Sequence, residues 1–350
     1  MHPATLTART ARTGLFALVL SALAACGDPP AFVGPDYPTR AAAKQDVAPS
    51  APVLVASLPS AVGNTQGSGV GPGGALFVTD PYGGRVLRVD PQTGAVTPFA
   101  SGLPTGFGGA ADVAFIGQTA YVLVTLVGPD VGGNDIVGVY RVDGPTSFTI
   151  IADIGAFAQA NPPETEFFVP TGVQFAIEPF RGGFLVTDGH HNRVLRVTLD
   201  GEVSELIALG NVVPTGLTVA GNTIYMAEAG PLPHLPADGR VVAFTPESTS
   251  PAVVAAGARL AVDVERGRGR TLFALSMGVW AGTVEGDPPQ PNTGALVRVN
   301  ADGTFTTVVG GLDRPTTFEI IDNSAYIVML DGEVWRIDDI AGPPFRAADR

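Results

Sequence analysis

The chain has 350 residues, with 45 glycines, 31 prolines and a formal net charge of −13. This density of Gly and Pro favours many short antiparallel strands and argues against long helices. The acidic balance argues against nucleic acid as a partner, because an acidic surface repels a phosphate backbone.

Residues 1–25 have the pattern of a bacterial lipoprotein signal peptide. Arg9 and Arg12 form a positive region, an apolar segment follows at 14–23, and the sequence LAAC ends at Cys26. This order resembles a lipobox, in which the cysteine thiol is lipidated and becomes the mature N-terminus. The alternative is an ordinary cleaved signal peptide with an incidental cysteine.

Lipid chains on Cys26 would anchor the protein to a membrane, since each buried acyl methylene contributes about 0.8 kcal/mol. Gly27 after the cysteine favours the outer membrane or the cell surface as the location within the bacterial envelope. Cys26 is the single cysteine, so the sequence predicts no disulfide within the chain. Residues 26–50 are rich in Pro and Ala and predict a tether.

Residues 51–340 repeat one pair of short strands six times. The first strands of the pairs are apolar and lie at 76–80, 120–124, 184–188, 223–228, 271–276 and 324–329. The second strands begin at Arg85, Val137, Arg193, Arg240, Ala295 and Glu333. A supersecondary unit repeated every 40–60 residues or so predicts an all-β fold, a six-bladed β-propeller of four-stranded antiparallel blades.

The predicted blades need one more strand before each pair and one after it. Five segments can serve as fourth strands, but the chain ends in a short tail, 341–350, after the last pair. The segment 52–57 (PVLVAS) can supply the missing strand by pairing with 333–337. We therefore expect the N-terminal strand to complete the sixth blade, which removes the exposed sheet edges.

Long loops fall on one face of the predicted disc. They lie at 125–136, 229–239 and 277–294 within blades and at 153–170 between two blades. Long loops that a compact domain does not need are usually functional. We expect a ligand site on this long-loop face, at the central channel.

Three inner strands begin with similar sequences, PTG at 170–172, PTG at 214–216 and PTT at 315–317. Their hydroxyls make Thr171, Thr215 and Thr316 candidates for ligand binding. The alternative is that Pro and Gly only turn the chain into the inner strand.

Acidic residues stand at matching ends of strands, namely Asp80, Asp112, Asp188 and Glu228. Converging carboxylates could hold a Ca²⁺-like ion or act as acid and base. Asp80 and Asp188 can instead cap the turns that follow them. Glu228 has no such turn, which makes it the candidate catalytic residue.

Three histidines and a tryptophan lie in the long loops. His190, His191 and His234 could bind a transition metal together with a carboxylate, although their spacing contains no HxH or HxxxH element. Surface loops that bind no metal are the alternative. Trp280 could stack on a ligand or pin its own loop.

Two repeat units, TDPYGGRVLRVD at 79–90 and TDGHHNRVLRVTLDG at 187–201, resemble NHL-type propeller repeats. The whole body from 52 to 338 is similar to the ScyD/ScyE family of six-bladed propellers. The resemblance is carried by GLP at 102–104, AD at 152–153, NP at 161–162, VPTG at 169–172, DGHHN at 188–192, VPTG at 213–216, AEAG at 227–230, GL at 311–312 and PT at 315–316. It implies a secreted propeller with no assigned reaction, and small residues are usual in that family at positions 190 and 191.

These patterns favour a monomeric, lipid-anchored propeller that binds a small molecule or a protein partner on the long-loop face. The alternative is a metal-dependent enzyme similar to the six-bladed lactonases or hydrolases, or to strictosidine synthase-like or virginiamycin B lyase-like propellers. In that case a divalent metal would be held by channel carboxylates or histidines. A shared architecture does not by itself carry a function.

Overall fold

Twenty-four strands form six four-stranded antiparallel sheets in the part of the chain that the structure describes. The structure is a computed structural model, and it describes residues 49–59, 67–282, 284 and 286–342. The predicted signal peptide, Cys26 and nearly all of the tether lie outside these residues. Among the residues that the structure describes, no helix is long and apolar enough to cross a membrane.

The first three blades follow one another along the chain. The first contains β2 (Ser68–Val70), β3 (Leu76–Asp80), β4 (Arg85–Val89) and β5 (Val96–Ser101), and β1 (Val53–Ser57) precedes it. The second contains β6 (Gly109–Ile116), β7 (Thr119–Thr125), β8 (Gly138–Gly144) and β9 (Ser147–Asp153). The third contains β10 (Gln174–Phe180), β11 (Gly183–Asp188), β12 (Arg193–Thr198) and β13 (Val203–Ala208).

The remaining blades repeat this order, except that the sixth draws a strand from the start of the chain. The fourth contains β14 (Pro214–Ala220), β15 (Thr223–Glu228), β16 (Arg240–Phe244) and β17 (Ala252–Ala256). The fifth contains β18 (Ala261–Arg266), β19 (Leu272–Ser276), β20 (Gly294–Val299) and β21 (Phe305–Leu312). The sixth contains β22 (Pro315–Ile321), β23 (Ser324–Met329), β24 (Glu333–Ile337) and β1.

The predicted ring closure is confirmed by the pairing of β1 with β24. The two strands run antiparallel, with Val53 opposite Arg336 and Ser57 opposite Glu333. Beyond the strand, the amide of Leu58 donates to the carbonyl of Gly332 at 2.9 Å. The sixth blade therefore has all four strands, and its outer edge is the first strand of the chain.

The core lies between the blades rather than within them. Six buried apolar clusters each join two neighbouring blades, and one of them joins Leu76 and Val78 of the first blade to Tyr326 and Val334 of the sixth. Second strands such as β3 and β19 are buried along their whole length because blades cover both of their faces. Outer strands such as β5 contain mostly exposed and half-buried residues.

Short helical elements occur in the connections. The segment predicted as a loop at 153–170 contains α1 (Ile154–Ala160), whose N-cap Asp153 accepts a hydrogen bond from the Ala156 amide at 2.8 Å. This cap satisfies a free amide of the first helical turn. Three single-turn 3₁₀ helices lie at Pro72–Gly74, Pro129–Val131 and Arg268–Arg270.

Removal of the closing strand tests how much stability this pairing contributes. Deletion of residues 51–58 should lower the melting temperature by about 10 °C or more, because it exposes the edge of β24 and the apolar surface beneath Ala56 and Leu58. Circular dichroism melting would measure this. A matched deletion of eight residues in the tether, 36–43, should leave the melting curve in place; equal curves for both deletions would refute the closure.

Candidate functional site

A cavity of about 1050 Å³ opens among the inner strands and the loops of the long-loop face. Its inner wall comes from β2, β6, β10, β14, β18 and β22, the first strands of the six blades. Its mouth is formed by loops that contain Tyr82, Phe107, Phe168, His234 and Trp280. A cavity of this size that is lined by apolar groups with a few polar ones is the usual form of a small-molecule site.

Three glutamates lie at one level of the inner strands, which we call the lower carboxyl tier. The strand register is the same at each of them. A residue of the second strand lies opposite the glutamate, and an arginine of the third strand lies opposite that residue. The glutamates are Glu178, Glu265 and Glu319, and the corresponding arginines are Arg196, Arg298 and Arg336. Because the register is the same in the three blades, the glutamates occupy equivalent positions. All three line the cavity and are half-buried.

Asp112 and Asp263 form a second level, the upper carboxyl pair, two residues nearer the mouth. Asp112 Oδ2 accepts from the Ile177 amide of the next blade at 2.9 Å, and Asp263 Oδ2 accepts from the Phe318 amide of the next blade at 3.0 Å. These bonds tie the second blade to the third and the fifth to the sixth. Gly216 packs against Asp263 so closely that a Cβ would collide with it, which explains the glycine at this point of the chain.

The five carboxyl groups have raised pKa values because they are buried together. Burial raises the pKa of Glu178 to about 8 and that of Asp263 to about 6. It also raises the pKa values of Asp112, Glu265 and Glu319 well above the usual range, with repulsion between neighbouring carboxylates as a further cause. The shifts at Asp112, Glu178, Glu265 and Glu319 favour the neutral forms of these carboxyl groups.

Aromatic side chains surround the mouth. Phe107 is 70% exposed and Phe168 is 61% exposed, although both line the cavity. The His190 ring lies 5.1 Å from that of Phe168, and the His234 ring meets Trp280 edge-on at 5.5 Å. Apolar surface of this extent around an opening marks a place where a ligand or partner binds.

Six of the residues singled out from the sequence line this cavity, namely Asp112, His190, Thr215, His234, Trp280 and Thr316. Both threonine hydroxyls donate to main-chain carbonyls. The acceptor of the Thr215 hydroxyl is the carbonyl of Ala227 or of Ala261, and that of the Thr316 hydroxyl is the carbonyl of Val328. The Trp280 indole donates to the Asp287 carbonyl at 2.9 Å and so pins its own loop. Trp280 is nevertheless one of the residues that line the cavity.

The other candidates, Thr171, Asp188, His191 and Glu228, are not among the residues that line the cavity. Asp188 and Glu228 each pair with the arginine that begins the next strand, Arg193 at 2.8 Å and Arg240 at 2.6 Å. Asp80 pairs with Arg85 in the same way at 2.7 Å. These pairs close the hairpin between the second and third strands of a blade.

Glu228 lies beside a separate pocket of about 180 Å³ between the third and fourth blades. Burial raises the pKa of its carboxyl, while the charge of Arg240 and its hydrogen bond oppose that rise. Both Arg240 contacts go to Oε2 of Glu228, at 2.9 Å from Nε and 2.6 Å from the terminal nitrogen.

His191 is buried and anchors the loop that carries Phe168 to the mouth. Its Nε2 lies 2.9 Å from the Val169 carbonyl, and its Nδ1 lies 3.1 Å from Asp188. Arg193 adds a bond of 2.7 Å to the carbonyl of Asn161, at the other end of the same loop segment. The role of His191 in the structure is thus to position the loop.

The three histidines are not brought together as metal ligands. His191 is buried beneath the loop, whereas His190 and His234 line the cavity from different blades. Among the described residues, no group of three or more His, Cys, Asp or Glu side chains is placed to hold a metal ion.

Four acids of the cavity were missed by the sequence interpretation, namely Glu178, Asp263, Glu265 and Glu319. A signal was present, because each of the three glutamates follows an apolar residue in an inner strand that is otherwise largely apolar. The same residue type at the same register of three blades indicates a shared environment. Only the ring geometry shows that this environment is the interior of the channel.

Solved structures with the same architecture support the fold. A gluconolactonase from Xanthomonas campestris has a TM-score of 0.57 at 13% identity, over 82% of this chain and 89% of that one. An aldose sugar dehydrogenase from Streptomyces coelicolor, in its PQQ-bound form, has 0.56 at 14% identity, over 83% and 99%. A virginiamycin B lyase from Staphylococcus aureus has 0.51 at 13% identity, over 82% and 98%.

These similarities and the sheet order define the class of this protein as a six-bladed β-propeller. No protein-family model and no curated protein matches the chain. At 13–14% identity the solved structures show the fold alone. The resemblance to the ScyD/ScyE family remains a prediction.

The substitution Glu178→Gln tests the protonation of the lower carboxyl tier. The pKa of Glu178 is higher in the folded state than in the unfolded state. Its contribution to folding stability is therefore complete at a pH below the unfolded pKa and is lost as the pH rises through the folded value of about 8. Between these two pKa values, one such group lowers the free energy of unfolding by at most about 1.4 kcal/mol for each pH unit. Glu178→Gln should therefore gain stability over the wild type between pH 5 and pH 8, as measured by urea unfolding.

The control for this experiment is Glu202→Gln, an exposed carboxyl in the turn between β12 and β13 of the same blade. Its effect on stability should be small at every pH. A constant difference between Glu178→Gln and the wild type from pH 5 to pH 8 would contradict the raised pKa.

Proposed function

We propose that this protein is a lipid-anchored propeller of the bacterial cell envelope, of the ScyD/ScyE type, that binds a small molecule in its central cavity. The observation that carries the proposal is the cavity of about 1050 Å³, with aromatic groups at its mouth and carboxyl groups inside. A small molecule fits this shape better than a protein does, because the polar groups are recessed among the inner strands.

The support for the membrane anchor comes from the sequence. The positive and apolar segments before Cys26 and the small residues next to it fit a lipidated N-terminus. The Pro- and Ala-rich segment 26–50 would link this anchor to the propeller.

The alternative function is that of an enzyme, and two observations favour considering it. The structures similar in fold include a gluconolactonase and a virginiamycin B lyase. In addition, a carboxyl with a pKa of about 8, such as Glu178, can exchange protons near neutral pH. An increase in melting temperature with Ca²⁺, together with turnover of a lactone, would favour this alternative.

A cavity-filling substitution tests the proposed binding site. Ala176 lines the cavity at the level of the upper carboxyl pair, so Ala176→Trp should place an indole inside it. In a thermal-shift screen of small molecules, compounds that stabilise the wild type should bind this variant at least about tenfold more weakly.

The control is Ala252→Trp, which adds the same side chain at an exposed position of the outer strand β17. It should bind the same compounds as the wild type. Circular dichroism would verify that both variants are folded. If the compounds bind all three proteins equally, the central cavity is not the ligand site.

A further inference from the structure

Carboxyl groups and aromatic groups occupy different depths of the same cavity. We propose that the ligand of this cavity is an organic amine with an apolar body, an inference that rests on the proposed ligand site. The ammonium group binds at Glu178, Glu265 and Glu319, and the apolar body lies against Phe168, Phe175 and Trp280 nearer the mouth.

The charges that line the cavity favour a cation. Six acidic residues line it, five on the inner strands and Asp287 at the mouth, whereas Arg314 is the single lining residue with a permanent positive charge among the described residues. Arg314 lies at the mouth, where its Nε donates to the Pro289 carbonyl at 2.8 Å. The other titratable groups at the mouth are Tyr82, His190, His234 and Asp287.

Hydrogen bonding distinguishes Glu319 from the other inner-strand carboxyl groups of the cavity. The oxygens of Asp112 and Asp263 accept from main-chain amides and are thereby used in joining blades. In the lower tier the Glu178 carboxyl accepts from the Val219 amide of the next blade. The Glu265 carboxyl accepts from the Arg266 amide, and the Thr218 hydroxyl approaches it at 3.4 Å. The Glu319 carboxyl accepts no hydrogen bond from the described residues.

An enclosed carboxyl without a hydrogen-bond donor points to a missing partner. Burying a charged group costs free energy unless it is paired, so the tier must take up protons or a cation. An ammonium group supplies both the positive charge and three donors. No group of three ligating side chains in the described residues is placed to hold a metal ion, so we expect the ammonium group to pair with one or two of these carboxyl groups at a time.

The depth of the cavity sets the size of the ligand. Thr215 is close to the mouth and Thr218 stands at the level of the lower carboxyl tier, three residues along β14. At the rise of a β-strand this distance is about 10 Å. An amine separated from one aromatic ring by a short chain matches that distance, with the ring at the level of Phe175 and Trp280.

Three compounds with one carbon skeleton test the assignment, namely 4-phenylbutylamine, 4-phenylbutan-1-ol and 4-phenylbutyrate. By isothermal titration at pH 7.5, the amine should bind at least about tenfold more tightly than the alcohol, and the carboxylate should bind most weakly. The affinity for the amine should also rise from pH 5 to pH 8 as the carboxyls ionise, while the affinity for the alcohol should stay constant.

Two variants localise the charge that is recognised. Glu319→Gln keeps the shape of the side chain and should lower the affinity for the amine about tenfold while leaving the alcohol unaffected. Glu265→Gln should act in the same direction and serves as a second, independent variant. Glu202→Gln, at the exposed turn, should change neither affinity.

The outcomes separate this inference from the proposed site. Equal binding of amine and alcohol, or tighter binding of the carboxylate, overturns the amine assignment. The amine assignment is also overturned if none of the three compounds binds. If a library screen then finds ligands that bind the wild type but not Ala176→Trp, the cavity remains the ligand site. If no compound in either experiment depends on the cavity, both proposals fail.

Discussion

The antiparallel pairing of β1 with β24 is the contact on which the rest of the structure depends. It joins residues that are nearly 280 positions apart along the chain and completes the sixth blade. The blades have no separate cores of their own, because each apolar cluster is shared by two neighbours. An open ring would therefore expose the facing surfaces of the first and sixth blades as well as the edge of β24.

Ring closure also creates the electrostatic conflict at the axis. Acids from the second, third, fifth and sixth blades are brought into one cavity, where burial and mutual repulsion oppose their ionisation. Asp112 and Asp263 are compensated by amides of the next blade, and so they contribute to the assembly of the ring. In the lower tier Glu178 and Glu265 also accept from main-chain amides, whereas Glu319 accepts no hydrogen bond from the described residues. Natural proteins retain such locally unfavourable groups mainly at functional sites, which is why this tier carries the inference about the ligand.

Strand pairs, blade number and closure could be predicted from the sequence because they depend on local apolar patterns and on counting strands. The cavity acids could not, because an acid in a strand with one exposed face looks the same whether that face meets solvent or the channel. Glu228 illustrates a related limit: Arg240 begins the next strand, but the long loop between them hides the pairing that Asp80-Arg85 and Asp188-Arg193 make across short turns. Of the predicted metal ligands, His191 is held by Asp188, three residues before it, and by the Val169 carbonyl, which only folding brings near.

The central claim is that the carboxyl groups at the axis hold protons that a cationic ligand displaces. Proton release on binding measures this directly, through isothermal titration of 4-phenylbutylamine at pH 6.5 in buffers that differ in their enthalpy of ionisation. The account predicts that about 0.5–1 proton leaves the protein for each amine bound, so the apparent enthalpy differs between buffers. Binding with the same enthalpy in every buffer would contradict it.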